Sequence, residues 1–98
     1  EFLVNMKPGA VLINTARGEL VDERALADAI KAGFIGGAAL DVLAKEPPDH
    51  DCPLIGLENC IITPHIAWSP KEMRQAVIDI LAENLKSWLS GGMLNRVD

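Results

Sequence analysis

Ala10-Val11-Leu12-Ile13-Asn14 is an uninterrupted apolar run closed by a polar residue, and a second run, Gly36-Gly37-Ala38-Ala39-Leu40-Asp41, follows after a helical interval. Continuous apolar runs of this length predict strands covered on both faces, as in a parallel sheet. Asp22 stands where a helix N-cap belongs, with Glu23 in the first turn and Gly33 just past an end near Ala32. Between them Ala25, Leu26, Ala29 and Ile30 keep helical spacing. Residues 10–41 are therefore predicted to form a parallel, right-handed βαβ unit, which makes the chain α/β. Glycines 36 and 37 predict a strand that something approaches closely.

Working outward, Cys60-Ile61-Ile62-Thr63 is a third apolar run. The interval before it carries Pro47, Pro48 and Pro53 and loses helical periodicity, so it reads as a long loop with one short turn near residues 54–57. Upstream, residues 1–6 read like the last turns of a helix, broken by Lys7-Pro8-Gly9. Downstream, Ser69-Pro70-Lys71-Glu72 is a capping box with proline at the first helical position. That helix should run to about Ser90, where Gly91-Gly92 stops it, with Met73, Val77, Ile80, Leu81, Leu85 and Trp88 as its apolar stripe.

Of the 98 residues 49% are apolar and 23% charged, ordinary values for a globular domain. The formal charge of −5 argues against nucleic acid and anionic membrane as partners. There is no run long enough for a membrane span and no signal-peptide pattern at the start. Cys52 and Cys60 form no CxxC pair and read as structural thiols of a reducing, cytoplasmic setting. Asp49-His50-Asp51 has no second ligand cluster, so no metal is expected there.

Three polar residues, Arg17, Glu46 and His65, each follow one of the three apolar runs. In open α/β sheets ligands bind beyond the carboxyl ends of the strands, which is where these three are expected. A guanidinium offers a planar fork for a carboxylate. An imidazole exchanges protons near neutrality, and a neighbouring carboxylate orients it and favours its protonated form. Spacing alone also fits a surface arginine, a structural histidine and a solvated glutamate.

Five strings stand in the order and spacing of one family: Met6-Lys7-Pro8-Gly9-Ala10, Asn14-Thr15-Ala16-Arg17-Gly18, Ala39-Leu40-Asp41-Val42, Glu46-Pro47-Pro48 and Thr63-Pro64-His65-Ile66-Ala67. On these the chain resembles, over essentially its whole length, the carboxyl-terminal part of the D-isomer-specific 2-hydroxyacid dehydrogenases. The run from Pro64 to Trp68 is most similar to the glycerate dehydrogenase, or hydroxypyruvate reductase, branch. The resemblance implies the carboxyl-terminal half of a Rossmann-type NAD-binding domain, spanning residues 1–90 with a crossover helix at 69–90. Residues 91–98 would be a tail returning to the substrate domain.

The resemblance also implies roles. Arg17 would bind the substrate carboxylate, His65 would be the general acid and base, and Glu46 its partner. Asp41 would hold the nicotinamide carboxamide, and Thr15, Ala16, Arg17, His65 and Ala67 would approach the NAD or NADP nicotinamide. Glutamate rather than glutamine at position 46 sets the chain apart from formate dehydrogenases. The partners implied are a small 2-hydroxy or 2-keto acid and a second copy in a homodimer. Trp88 reads as core, whereas Trp68 is placed to wall a substrate pocket. The family's glycine-rich phosphate fingerprint and its amino-terminal substrate segment are not in this sequence. The chain is thus expected to be a fragment cut at Glu1, inactive alone and prone to self-association. The alternatives are a nucleotide-sensing corepressor of the same family, disfavoured by the short tail, and a complete small binding domain, disfavoured by the start.

Overall fold

A computed structural model of the chain describes residues 2–97. Glu1 and Asp98, the ends of the expected cut helix and of the tail, lie outside the described residues. The chain divides into two compact units, Glu1–Ile66 and Ala67–Asp98.

In the first unit three parallel strands, β1 (Val11–Asn14), β2 (Gly37–Leu40) and β3 (Cys60–Ile62), lie side by side in sequence order. Val11 to Asn14 pair in step with Gly37 to Leu40, and Ala38 to Leu40 with Cys60 to Ile62. One helix, α1 (Glu23–Lys31), joins β1 to β2, its N-cap Asp22 accepting a hydrogen bond from the Ala25 N–H at 2.9 Å. Past its C-cap, Gly33 (φ +72°) donates to the Ile30 carbonyl and Phe34 to that of Ala29, closing the last turn as a Schellman motif. The parallel βαβ unit predicted for residues 10–41 is thus present. The close approach predicted at the glycines is also found: a side chain at Gly37 would collide with the Asn59 carbonyl.

The covering of the sheet differs from expectation. Leu26, Ala27, Ala29 and Ile30 of α1 form one core with Ala38 and Leu40, and Leu12, Cys60 and Ile62 pack against it from the same face. In-register residues of parallel strands point the same way, so Val11, Ile13 and Ile61 share the opposite face. They are 56%, 72% and 67% exposed. A continuous apolar run states that both faces are suited to burial; within this unit, α1 and its neighbours bury one.

The long loop between β2 and β3 contributes to that core as well. Leu54 is fully buried, and turns closed by Ile55 N–H to the Cys52 carbonyl and Leu57 N–H to the Leu54 carbonyl hold it in place. At the start of the chain, Leu3–Asn5 is a short 3-10 turn with i→i+3 bonds, not the end of an α-helix.

The second unit holds one long helix, α2 (Lys71–Leu89). Its start departs from the capping box. Pro70 is extended (ψ 141°) and occupies the N-cap position, no side chain caps the helix, and Lys71 is its first helical residue. The helix stops as expected, with Gly91 (φ +77°) donating to the Trp88 carbonyl and Gly92 to that of Ser87. None of its residues is buried, and Trp88, read as core, is 72% exposed. The apolar stripe is present as spacing without a packing partner inside its own unit. Among the described residues no helix is long and apolar enough to cross a membrane.

Candidate active site

The segments beyond the carboxyl ends of the strands converge because each is tied by side-chain bonds. After β1 the buried Asn14 closes a turn on itself, its Oδ1 accepting from the Ala16 N–H at 3.0 Å and its Nδ2 donating to the Arg17 carbonyl at 2.8 Å. Asparagine does this well because its side chain mimics a peptide group. Thr15 and Ala16 form the exposed crest of that turn. Arg17 leaves it extended, its guanidinium donating to the Ala16 carbonyl at 2.6 Å. The next residue, Gly18, is buried directly against the backbone of Leu43 and Ala44, where any Cβ would overlap those atoms. The contact brings the Arg17 turn up against the segment that carries Glu46.

After β2, Val42 and Leu43 are buried and anchor the loop. The Ala44 N–H donates to Glu23 Oε1 at 2.7 Å, so the first turn of α1 holds the loop. Glu46 then turns back and accepts on both oxygens, Oε1 from the Leu43 N–H at 2.9 Å and Oε2 facing His65 Nδ1 at 2.7 Å. The bond to His65, then the bond from Leu43, hold the Glu46 carboxyl below its ordinary pKa of 4.5. An ionised carboxylate only accepts, so Nδ1 carries the proton of this bond. Nε2 is left as the nitrogen for proton exchange.

After β3, His65 adopts φ +55°, a left-handed conformation uncommon for a residue with a side chain. Its N–H donates to the Asp41 carbonyl at 2.9 Å. The Asp41 carboxylate, 5% exposed, accepts from the Thr63 hydroxyl at 2.5 Å and the Ile66 N–H at 2.9 Å, both at Oδ1.

Arg17, Glu46 and His65 thus line one cleft of about 180 Å³, together with Gly18 and Leu43. A second cleft of about 390 Å³ is also lined by His65 and Glu46. Leu43, Pro47, Ile62 and Pro64 wall it, and Asp41 stands in its lining. Of the two clefts that share the imidazole, one therefore offers a cation and the other a largely apolar slot. Ala67 and Trp68 open the second unit, both exposed.

Asn14, Gly18 and Glu23 tie together the segments that carry the candidate site, Thr63 bonds Asp41, and sequence reasoning assigned none of them a role in it. An asparagine closing an apolar strand before a turn is a usable signal for the first. The other three act across 21 or more residues of sequence separation, which no local pattern records. The thiols are both free; burial pushes that of Cys60 up, and Cys52 Sγ lies 3.7 Å from Glu23 Oε2.

Known proteins similar to this chain are numerous. The family model described as D-isomer specific 2-hydroxyacid dehydrogenase, NAD binding domain, matches residues 1–67. A hydroxypyruvate reductase of Blautia hydrogenotrophica is 45% identical over 98 residues, all of this chain and 30% of the relative. A glycerate dehydrogenase of Methylorubrum extorquens is 49% identical over 100 residues, all of this chain and 32% of the relative. Among solved structures, an NADPH-dependent glyoxylate/hydroxypyruvate reductase from Sinorhizobium meliloti, in complex with NADP and malonate, superposes with a TM-score of 0.65. It is 41% identical, over 90% of this chain and 27% of that one. The chain spans about 30% of the length of the curated relatives it matches. With the motifs in register, the strands in order and the family model covering two thirds of its length, the chain belongs to the D-isomer specific 2-hydroxyacid dehydrogenases, as part of their NAD binding domain.

Proposed function

We propose that the protein carrying this chain is an NAD(P)-dependent D-2-hydroxyacid dehydrogenase acting on a small 2-keto acid of the hydroxypyruvate and glyoxylate type. The observation that carries the reading is the imidazole–carboxylate pair of His65 and Glu46 sharing a cleft with Arg17.

The residues present fit one end of a dinucleotide. Asp41 and the apolar walls of the larger cleft suit an amide-bearing aromatic ring beyond the strand ends. The diphosphate has no place at the start of α1, where Asp22 occupies the cap and Glu23 the first turn. The phosphate cradle therefore belongs to parts of the protein outside this chain, and the isolated chain is expected to be inactive. A bound nicotinamide cofactor supplies the hydride for the second carbon of the keto acid.

The chain's own side chains do the rest. Arg17 donates to the substrate carboxylate through charge-assisted hydrogen bonds and fixes the carbonyl in place. His65 would give a proton from Nε2 to the carbonyl oxygen when the keto acid is reduced, and take it back when the alcohol is oxidised. Glu46 accepts from Nδ1 and orients the ring, so it acts on the acid rather than on the substrate. Asp41, Thr15, Ala16 and Ala67 serve the nicotinamide end in this reading. The family resemblance supports a homodimer, and the two free thiols support a reducing cytoplasm.

Steady-state turnover of hydroxypyruvate and glyoxylate by the protein carrying this chain, with NADH and NADPH, tests the reading. Reduction of at least one keto acid is expected, with Arg17→Gln raising KM far more than it lowers cofactor affinity. Cofactor binding without turnover of any 2-keto acid overturns it in favour of a nucleotide-sensing binding module.

A further inference from the structure

We infer that Thr63 is a positioning residue for His65, acting through the carboxylate of Asp41; the inference rests on the functional reading above.

His65 needs an external restraint, because φ +55° is a conformation that an L-residue other than glycine rarely holds by itself. Asp41 supplies it on two sides. Its main-chain carbonyl takes the His65 N–H at 2.9 Å. Its carboxylate takes the Ile66 N–H at 2.9 Å, one residue after the histidine, and the Thr63 hydroxyl at 2.5 Å, two residues before it. A single buried residue therefore grips the segment on both sides of the imidazole.

The hydroxyl is the element of this clamp that a substitution can remove without altering the main chain. Ile66 reaches Oδ1 through its backbone, whereas Thr63 reaches it only through Oγ1. The hydroxyl donates to Oδ1, which fixes its rotor and turns Oδ1 toward the 63–66 segment. Loss of that bond removes one of the ties at Asp41 Oδ1 and loosens the left-handed turn at His65. The imidazole would then leave the 2.7 Å contact with Glu46 that orients Nε2. Thr63 itself is exposed, so the fold does not depend on its burial.

The experiment compares Thr63→Val, which keeps shape and removes the hydroxyl, with Thr63→Ser, which restores it. Both are made in the protein carrying this chain. Expected for valine is a kcat per folded site lower by about ten-fold, the size of one lost hydrogen bond. KM for the keto acid should stay within about two-fold, because Arg17 is untouched. In ring-labelled protein the His65 Nδ1 resonance should move from its carboxylate-bound position. His50, in the loop between β2 and β3, serves as the internal reference. Serine should return both kcat and the resonance to their original values.

An unchanged His65 resonance in Thr63→Val overturns the inference, as does a serine variant that behaves like valine. Failure of Thr63→Val to fold also counts against it, because the hydroxyl would then be structural. Absence of keto-acid turnover in the unsubstituted protein would instead defeat the functional reading, and the resonance would still decide the positioning role.

Discussion

The two helices follow the same rules of spacing and meet opposite fates. The nine-residue α1 buries four side chains, Leu26, Ala27, Ala29 and Ile30, and belongs to the core of its unit. The nineteen-residue α2 buries none, although Val77, Leu81 and Leu85 repeat as regularly. Periodicity states which side of a helix is suited to burial. Whether burial occurs depends on a complementary surface, which α1 has in the inner face of the sheet. The first unit is thus a packed core with the candidate site at one end, and the second is a helix held by its own ladder and its glycine stop.

The sharpest break of that contrast is chemical. If the first unit carries the reaction, His65→Ala should reduce turnover by about 10²–10⁴, the usual contribution of a positioned acid–base group, while cofactor affinity changes little. Kinetics and a binding titration on the protein carrying this chain would check it; equal losses in both would sink the role of His65. Next in size is the core. Leu54→Ala should lower stability by about 2–5 kcal/mol, since a fully buried leucine leaves a cavity. In the isolated chain Leu81→Ala should cost only about 0.5 kcal/mol or less. Denaturant titrations of the two variants that gave similar midpoint shifts would show that α2 is packed after all.

The exposed stripe of α2 makes a third distinction. A concentrated sample of the isolated chain should self-associate, and Leu81→Glu with Leu85→Glu should reduce the association. Light scattering that reports a monomer at high concentration for both would remove the stripe as the cause. The smallest expected effect is on pH dependence. The folded-state pKa of Glu46 lies below its ordinary 4.5, chiefly through the bond to His65. Its contribution is present above that ordinary value and lost as pH falls through the lower folded one. Glu46→Gln should therefore flatten the acid limb of the stability profile, while a profile identical to that of the unsubstituted chain would leave the pair without a stabilising role.

Much of the fold was legible locally. The apolar runs located β1, β2 and β3, and Asp22 and Gly33 marked the ends of α1 to within a residue. The capping box failed by one position because proline itself took the cap, and the first residues formed a 3-10 turn where a helix end was expected. At the site, Arg17, Glu46 and His65 were legible through motifs in register, and the structure gathers them around one cleft. Their supports were less so. Asn14 had a local signal, but Glu23, Gly18 and Thr63 serve partners distant in sequence.

The sequence by itself determined the α/β order, the strands, the helix caps and the family motifs, because hydrogen-bond periodicity and turn chemistry act over a few residues. Only the tertiary structure decided which face of the sheet α1 covers, that Leu54 enters the core from a loop, and that Trp88 is exposed. It alone set Gly18 against the backbone at Leu43 and clamped the left-handed turn of His65 with Asp41 and Thr63. Those outcomes depend on shape and on bonds between distant segments, and a linear pattern encodes neither.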